Sequence, residues 1–135
     1  MDKNYVMDII RDAGFGFFAT VDQDQPRVRA YMPHMTDEGE LLISLQPDRR
    51  AIEHIKKNPK VEFCFVDRRM NSCRVTGSAS MSAEAEKKEL IWNNIPMLRQ
   101  FFSGPEDENF KLMVVKIDSV ELIAPQDKKP TLVKF

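Results

Sequence analysis

The chain has 135 residues, 42% of them hydrophobic and 30% charged, the balance of a globular domain built around one core. Its mean hydropathy of -0.41 and the lack of any run near the roughly 18 apolar residues of a spanning helix exclude a helical membrane protein. Twenty Lys plus Arg against twenty-one Asp plus Glu leave a net charge of -1, so no long-range pull toward nucleic acid or anionic lipid is available.

In chain order, residues 2–12 place Val6, Ile9 and Ile10 at helical spacing, and Ala13-Gly14 stops the helix. Phe15, Phe17, Ala19 and Val21 then alternate along a strand. Asp22 to Gln25 supplies turn chemistry before a second extended run from Arg27 to Met35, which predicts a β-hairpin. A turn at Thr36 to Gly39 leads into Glu40 to Leu45, apolar on both faces and so an interior strand. Pro47-Asp48 offers an N-cap to a helix carrying Ile52 and Ile55 on its buried stripe and ending at Asn58-Pro59. Lys60 to Asp67 and Cys73 to Met81 follow as strands, the second with Cys73, Val75, Gly77, Ala79 and Met81 on one face. Ser82 is the expected N-cap of a helix through Ala85, Leu90 and Ile91, and Pro96 restarts a shorter helical piece. Phe110 to Ile123 reads as one long bent strand or two short ones, and Thr131 to Phe135 as a last extended segment. Six or seven strands joined by short turns make residues 1–135 a single mainly β domain, an antiparallel barrel with peripheral helices.

The N-terminus shows neither a signal-peptide nor a transit-peptide pattern, which makes a cytoplasmic location the expectation. Cys64 and Cys73 have no second Cys pair or nearby His pair to form a zinc site, and read as small buried hydrophobes. His34 and His54 lack metal-ligand spacing and read as satisfied or exposed side chains.

Two features point to chemistry. Arg27, Arg29 and Tyr31 alternate onto one strand face, so two guanidinium groups stand side by side as an anion grip or as the solvated face of an edge strand. Arg49 and Arg50 follow Asp48 at a helix start, where cations oppose the helix dipole unless an anion binds there; alternatively Arg49 pairs with Glu53 and Arg50 is solvated. In an antiparallel meander the third strand would end beside the start of the second and bring both arginine pairs together. Phosphate is the natural anion. Trp92, Phe101 and Phe102, before the Gly104 loop, serve either the core or a planar ligand.

The stretches Phe17 to Val21, Pro26-Arg27-Val28-Arg29, Gly39 to Ser44 and Ile55 to Val61 together resemble the pyridoxamine 5'-phosphate oxidase-like FMN-binding split-barrel family. Ile91 to Leu98, Phe101-Phe102 and Pro105-Glu106-Asp107 resemble its general stress and nitroimidazole-resistance branches. The resemblance implies a six-stranded antiparallel split barrel, a homodimer with FMN at its interface, and a flavin-dependent oxidoreductase acting on a small planar electron acceptor, with NAD(P)H a candidate donor. It assigns Arg29 to the FMN phosphate, Ala30, Tyr31 and Met32 to the flavin, and Ser44, Leu45 and Gln46 to the phosphate and ribityl chain. Trp92 and Phe102 resemble aromatics that approach the flavin from the partner subunit.

Where many relatives carry Ser-x-Lys for the phosphate, this chain has Arg49 and Ala51, leaving Arg49 or Arg50 as the substitute donor. Without that substitution FMN affinity would be weak or lost. The end at Phe135 lacks the arginine-bearing segment with which pyridoxamine phosphate oxidases bind substrate, so vitamin B6 oxidation is not expected. Other readings are a non-enzymatic flavin or phosphate-ligand binder, a stress-related interaction protein, and a haem- or deazaflavin-using relative.

Overall fold

The computed structural model describes residues 2–135. The first helix, α1 (Lys3–Ala13), starts where the Asp2 carboxylate accepts from the Tyr5 N–H at 3.0 Å and stops at Gly14, whose φ of 81° disfavours other residues. Its apolar stripe, Val6, Met7, Ile9 and Ile10, is buried. The hairpin follows as β1 (Gly16–Asp22) and β2 (Gln25–Tyr31) around a two-residue turn. Pro33 cannot donate to a ladder, and the run predicted to reach Met35 divides there, leaving β3 (His34–Met35) as a separate strand. After β4 (Glu40–Leu45) come α2 (Arg50–Lys57), β5 (Lys60–Val66), β6 (Ser72–Ser82) and α3 (Ala85–Asn94). A 3₁₀ turn (Pro96–Gln100), the long β7 (Lys111–Ile123) and β8 (Thr131–Lys134) complete the chain.

Eight strands, more than the six or seven expected, form one antiparallel sheet in the order β2-β1-β5-β6-β7-β4-β3, with β8 paired to β7. The sheet curls without closing, as a split barrel. The predicted meander forms only in part: β4 pairs with β3, the end of the predicted second strand, but not with β2, and its other neighbour is β7. β7 remains one strand because a register shift opposite Thr76 and Gly77 absorbs Asp118, whose carbonyl accepts from the Phe135 N–H. A Cβ on Gly77 would lie 2.4 Å from the Lys116 carbonyl, so only glycine permits that approach.

Inside the barrel, Phe18, Phe63 and Phe65 stack at 4.8 and 4.6 Å among Leu41, Ile43, Val75 and Val115, closed over by α1 and α2. Each such ring contributes about 1.5–3 kcal/mol by leaving water. The other face of β4 and β7, Leu42, Leu112 and Val114, lies under Ile91, Ile95, Leu98 and Phe110, which explains why β4 is apolar on both sides. By contrast the outer face of β1, β2 and β5 has no helix over it. The alternation Phe15, Phe17, Ala19, Val21 belongs to this uncovered face, and Phe18 and Thr20 point inward instead. Cys73 is buried as expected, whereas Cys64 is half-exposed beside Phe17.

Two predicted caps are corrected. Arg49, not Asp48, holds the N-cap position of α2 and makes no side-chain cap bond, because Gln46 to Asp48 are used in the turn that leaves β4. Glu84, not Ser82, precedes α3; Ser82 ends β6 and accepts from the Glu84 N–H.

Candidate cofactor site

The site is built at the open edge of the barrel. Register with β1 sets Arg27 opposite Thr20, Arg29 opposite Phe18 and Tyr31 opposite Gly16, so the arginine face of β2 is the inward face, where α2 packs. Its apolar residues face out: Val28 is 65% exposed. The solvated outer face considered for these arginines is thereby inverted.

Arg27, Arg29, Arg49 and Arg50 line one cavity of about 510 Å³, together with Tyr31, Asp48, Ala51 and His54. The two arginine pairs do converge, but because α2 crosses from the end of β4 to the inner face of β1, not through strand pairing. Their ion pairs are loose. Arg27 and Arg50 reach Asp22 at 3.7 and 3.8 Å, and Arg49 reaches Asp48 at 3.8 Å, all on exposed side chains where such pairs are worth about 0–1 kcal/mol. Glu53 pairs with Lys56, not with Arg49. Four guanidinium groups against two carboxylates leave a local positive excess inside a chain of net charge -1.

Arg29 is held more firmly. Nη1 donates to Thr20 Oγ1 at 2.8 Å and to the Phe18 and Arg27 carbonyls at 3.3 Å, and burial first, then the neighbouring Arg50, pulls its pKa below the usual arginine value, against the opposing influence of Tyr31. Burial likewise raises the Tyr31 phenol against the pull of Arg29 and Arg49. No side chain caps α2, and its first residues, Arg49, Arg50 and Ala51, line the same cavity, an arrangement that favours an anion.

A second cavity of about 330 Å³ adjoins the first and shares Ala30, Tyr31 and Arg49 with it. Met32, Ser44, Leu45 and Gln46 form one wall, and Ile95, Met97, Leu98, Phe101 and Phe102 the other. Phe102 is fixed by stacking on Phe110 at 4.9 Å. Tyr31 and Arg49 are the only ionisable groups in this lining.

Of the residues singled out from sequence, Arg29, Ala30, Tyr31, Met32, Ser44, Leu45, Gln46, Arg49, Arg50 and Phe102 line one or both cavities. Phe102 lines the cavity of its own chain. Trp92 lines neither; it packs beside the cluster under α3 with Arg99 4.7 Å from its ring. Thr20 drew no expectation from the sequence, Asp22 only turn chemistry, and His54 only that of a satisfied or exposed side chain, which its bond to Thr20 bears out as satisfied. The available signal was polarity in apolar company: Thr20 follows Phe18 on the inner face, and His54 interrupts the buried stripe of Ala51, Ile52 and Ile55.

A cationic pocket opening into an apolar one suits a ligand with a phosphate at one end and a planar ring at the other. FMN has that form, and the donor set fits it although the family lysine is replaced by Ala51. Among the described residues no group of three His, Cys, Asp or Glu is placed to hold a metal, and no helix is long and apolar enough to cross a membrane.

Comparison with known proteins bears on the family and the fold. Residues 3–124 match the pyridoxamine 5'-phosphate oxidase family. The fold is similar to general stress protein 26 from Bacillus anthracis str. Sterne, with 25% identity, TM-score 0.83 and 98% of each chain covered. It is also similar to a pyridoxamine 5'-phosphate oxidase-related, FMN binding protein from Nostoc punctiforme PCC 73102, at 13% identity and TM-score 0.74, covering 96% of this chain and 88% of that one. A heme binding protein from Mycobacterium smegmatis shares the fold at 10% identity and TM-score 0.80, covering 95% of this chain and 55% of that one. No curated protein matches the sequence.

Proposed function

Because the chain belongs to the pyridoxamine 5'-phosphate oxidase family, we propose that it is a flavoprotein that holds FMN across the two adjoining cavities and acts as an oxidoreductase on a small planar acceptor. The carrying observation is the continuity of the arginine-lined cavity with the apolar one through Ala30, Tyr31 and Arg49. Arg29 and Arg50 would grip the phosphate, with Arg49 at the junction between the cavities. Phe102, Leu98 and Met97 would form the apolar wall against the ring. Bound FMN supplies the electron-transfer chemistry. The protein contributes orientation and exclusion of water, since no carboxylate, histidine or cysteine lines the ring cavity to act as acid, base or nucleophile.

A haem in the apolar cavity would meet no histidine or cysteine, leaving Tyr31, Met32 and Met97 as the groups there able to ligate its iron.

A second copy of the chain belongs to this proposal. Phe15, Phe17, Val28, Met32 and Val66 stand exposed on or beside the uncovered sheet face, and Met32 also lines the ring cavity. A homodimer through this face would bury the patch and bring the partner against the cofactor site.

Equilibrium dialysis with FMN tests the site. Replacing Arg29 and Arg50 together by Ala should weaken retention by at least about 100-fold in a protein that stays folded, given about 1.5–3 kcal/mol for each charged hydrogen bond. Unchanged retention would remove the anion assignment. Turnover of NAD(P)H with an added quinone or nitroaromatic acceptor separates an enzyme from a flavin binder without activity.

A further inference from the structure

Behind Arg29 lies a buried polar chain that the preceding reading does not use. Thr20 is 1% exposed and His54 6%, and Thr20 Oγ1 is 2.8 Å from His54 Nδ1. Arg29 Nη2 is 3.4 Å from the same nitrogen, while its Nη1 donates to Thr20 Oγ1. A guanidinium only donates, so the Arg29 contact uses a lone pair on Nδ1. In the arrangement that satisfies both contacts, the Thr20 hydroxyl accepts from Arg29 and donates onward to Nδ1, which puts the ring proton on Nε2, facing Asp22 Oδ2 at 3.8 Å. Burial lowers the His54 pKa against the pull of Asp22, with Arg29, Arg50 and Arg27 lowering it further, which keeps the ring neutral at neutral pH.

Placing a hydroxyl and an imidazole in an apolar interior costs stability that a valine or leucine would not. Outside the pair itself, their hydrogen bonds reach Arg29 alone. We propose that Thr20 and His54 are positioning residues that seat the Arg29 guanidinium so that its remaining N–H groups meet a phosphate monoester. This deepens the FMN reading and rests on it. The other three arginines of the cavity are exposed and loosely paired, so Arg29 is the pre-set donor and they close on the anion afterward.

The test compares Thr20→Val, which keeps shape and loses the hydroxyl, with Thr20→Ser, which keeps the hydroxyl. FMN and riboflavin are titrated separately by flavin fluorescence, with melting curves alongside. Thr20→Val should weaken FMN by about tenfold and leave riboflavin within about twofold, while Thr20→Ser restores FMN to within about threefold of the parent protein. An unchanged FMN affinity in Thr20→Val, or an equal loss for riboflavin, overturns the proposal. Nitrogen-15 NMR of His54 tests it without flavin: a proton on Nε2 is expected, and a proton on Nδ1 overturns the relay. If the parent protein ignores FMN yet is stabilised by inorganic phosphate, and Thr20→Val abolishes that stabilisation, the flavin reading fails and the relay stands. If neither FMN nor phosphate has any effect, both fall.

Discussion

Asp22 stands 3.7 Å from Arg27 Nε and 3.8 Å from both Arg50 Nη2 and His54 Nε2, too far for a firm bond to any of them. A carboxylate so shared competes with an incoming phosphate for the same cations. Asp22→Asn should therefore tighten FMN binding by about two- to fivefold in a fluorescence titration, the scale of one surface ion pair. Weaker binding would show that Asp22 supports the site instead. His54 carries a separate consequence for stability. Its pKa lies below the ordinary 6.5, chiefly through burial, and that of His34 is lowered by burial and Arg11. A depressed histidine contributes stability that is present above the unfolded-state value and lost as pH falls from there toward the folded one. Calorimetry should show the melting temperature falling as pH drops from about 7 to about 5, and a shallower fall in His54→Asn. A melting temperature that rises on acidification would contradict this. Arg29 and Arg50 were legible as candidate anion donors from their alternation and helix position, and the fold brings them to one cavity. His54 and Thr20 were not, because a lone polar residue on an apolar stripe gives no indication of its partner until β1 and α2 are brought together.

Among the elements, the sheet face of β1, β2 and β5 separates this fold from a self-sufficient barrel. Phe17 is 49% exposed there and meets Phe15 edge-on at 5.8 Å, a pair that gains little while it faces water. Phe17→Asp should leave the fold intact and convert the proposed dimer to a monomer in light scattering after gel filtration. A Phe17→Asp protein that stays dimeric would place the interface elsewhere. Strand positions, the α1 stop at Gly14 and the single-faced alternation of β6 were legible because each depends on local chemistry. The direction of the β1 and β2 faces was not. Both strands alternate apolar with other residues, and which side turns inward depends on pairing β1 with β5, forty residues or more away along the chain. The β4–β7 pairing is equally nonlocal, so the arginines converge by a route that a meander did not anticipate.

At the scale of the molecule, a net charge of -1 coexists with four arginines around one cavity, because the compensating carboxylates lie mostly elsewhere on the surface. The family and the split barrel were readable from ordered short motifs, and residues 3–124 carry them. Ala51 in place of the family lysine left phosphate binding open at the sequence level, since no local rule tells whether a neighbouring guanidinium reaches the same point. In the folded chain Ala51 is buried at the cavity wall and Arg49 and Arg50 flank the opening, which makes retained FMN the expectation. The visible absorption spectrum of the purified protein, taken before and after adding FMN and removing the excess, tests this most directly. A yellow protein with flavin bands that are perturbed from those of free FMN is the predicted result; a colourless protein that stays colourless after FMN is added would contradict it.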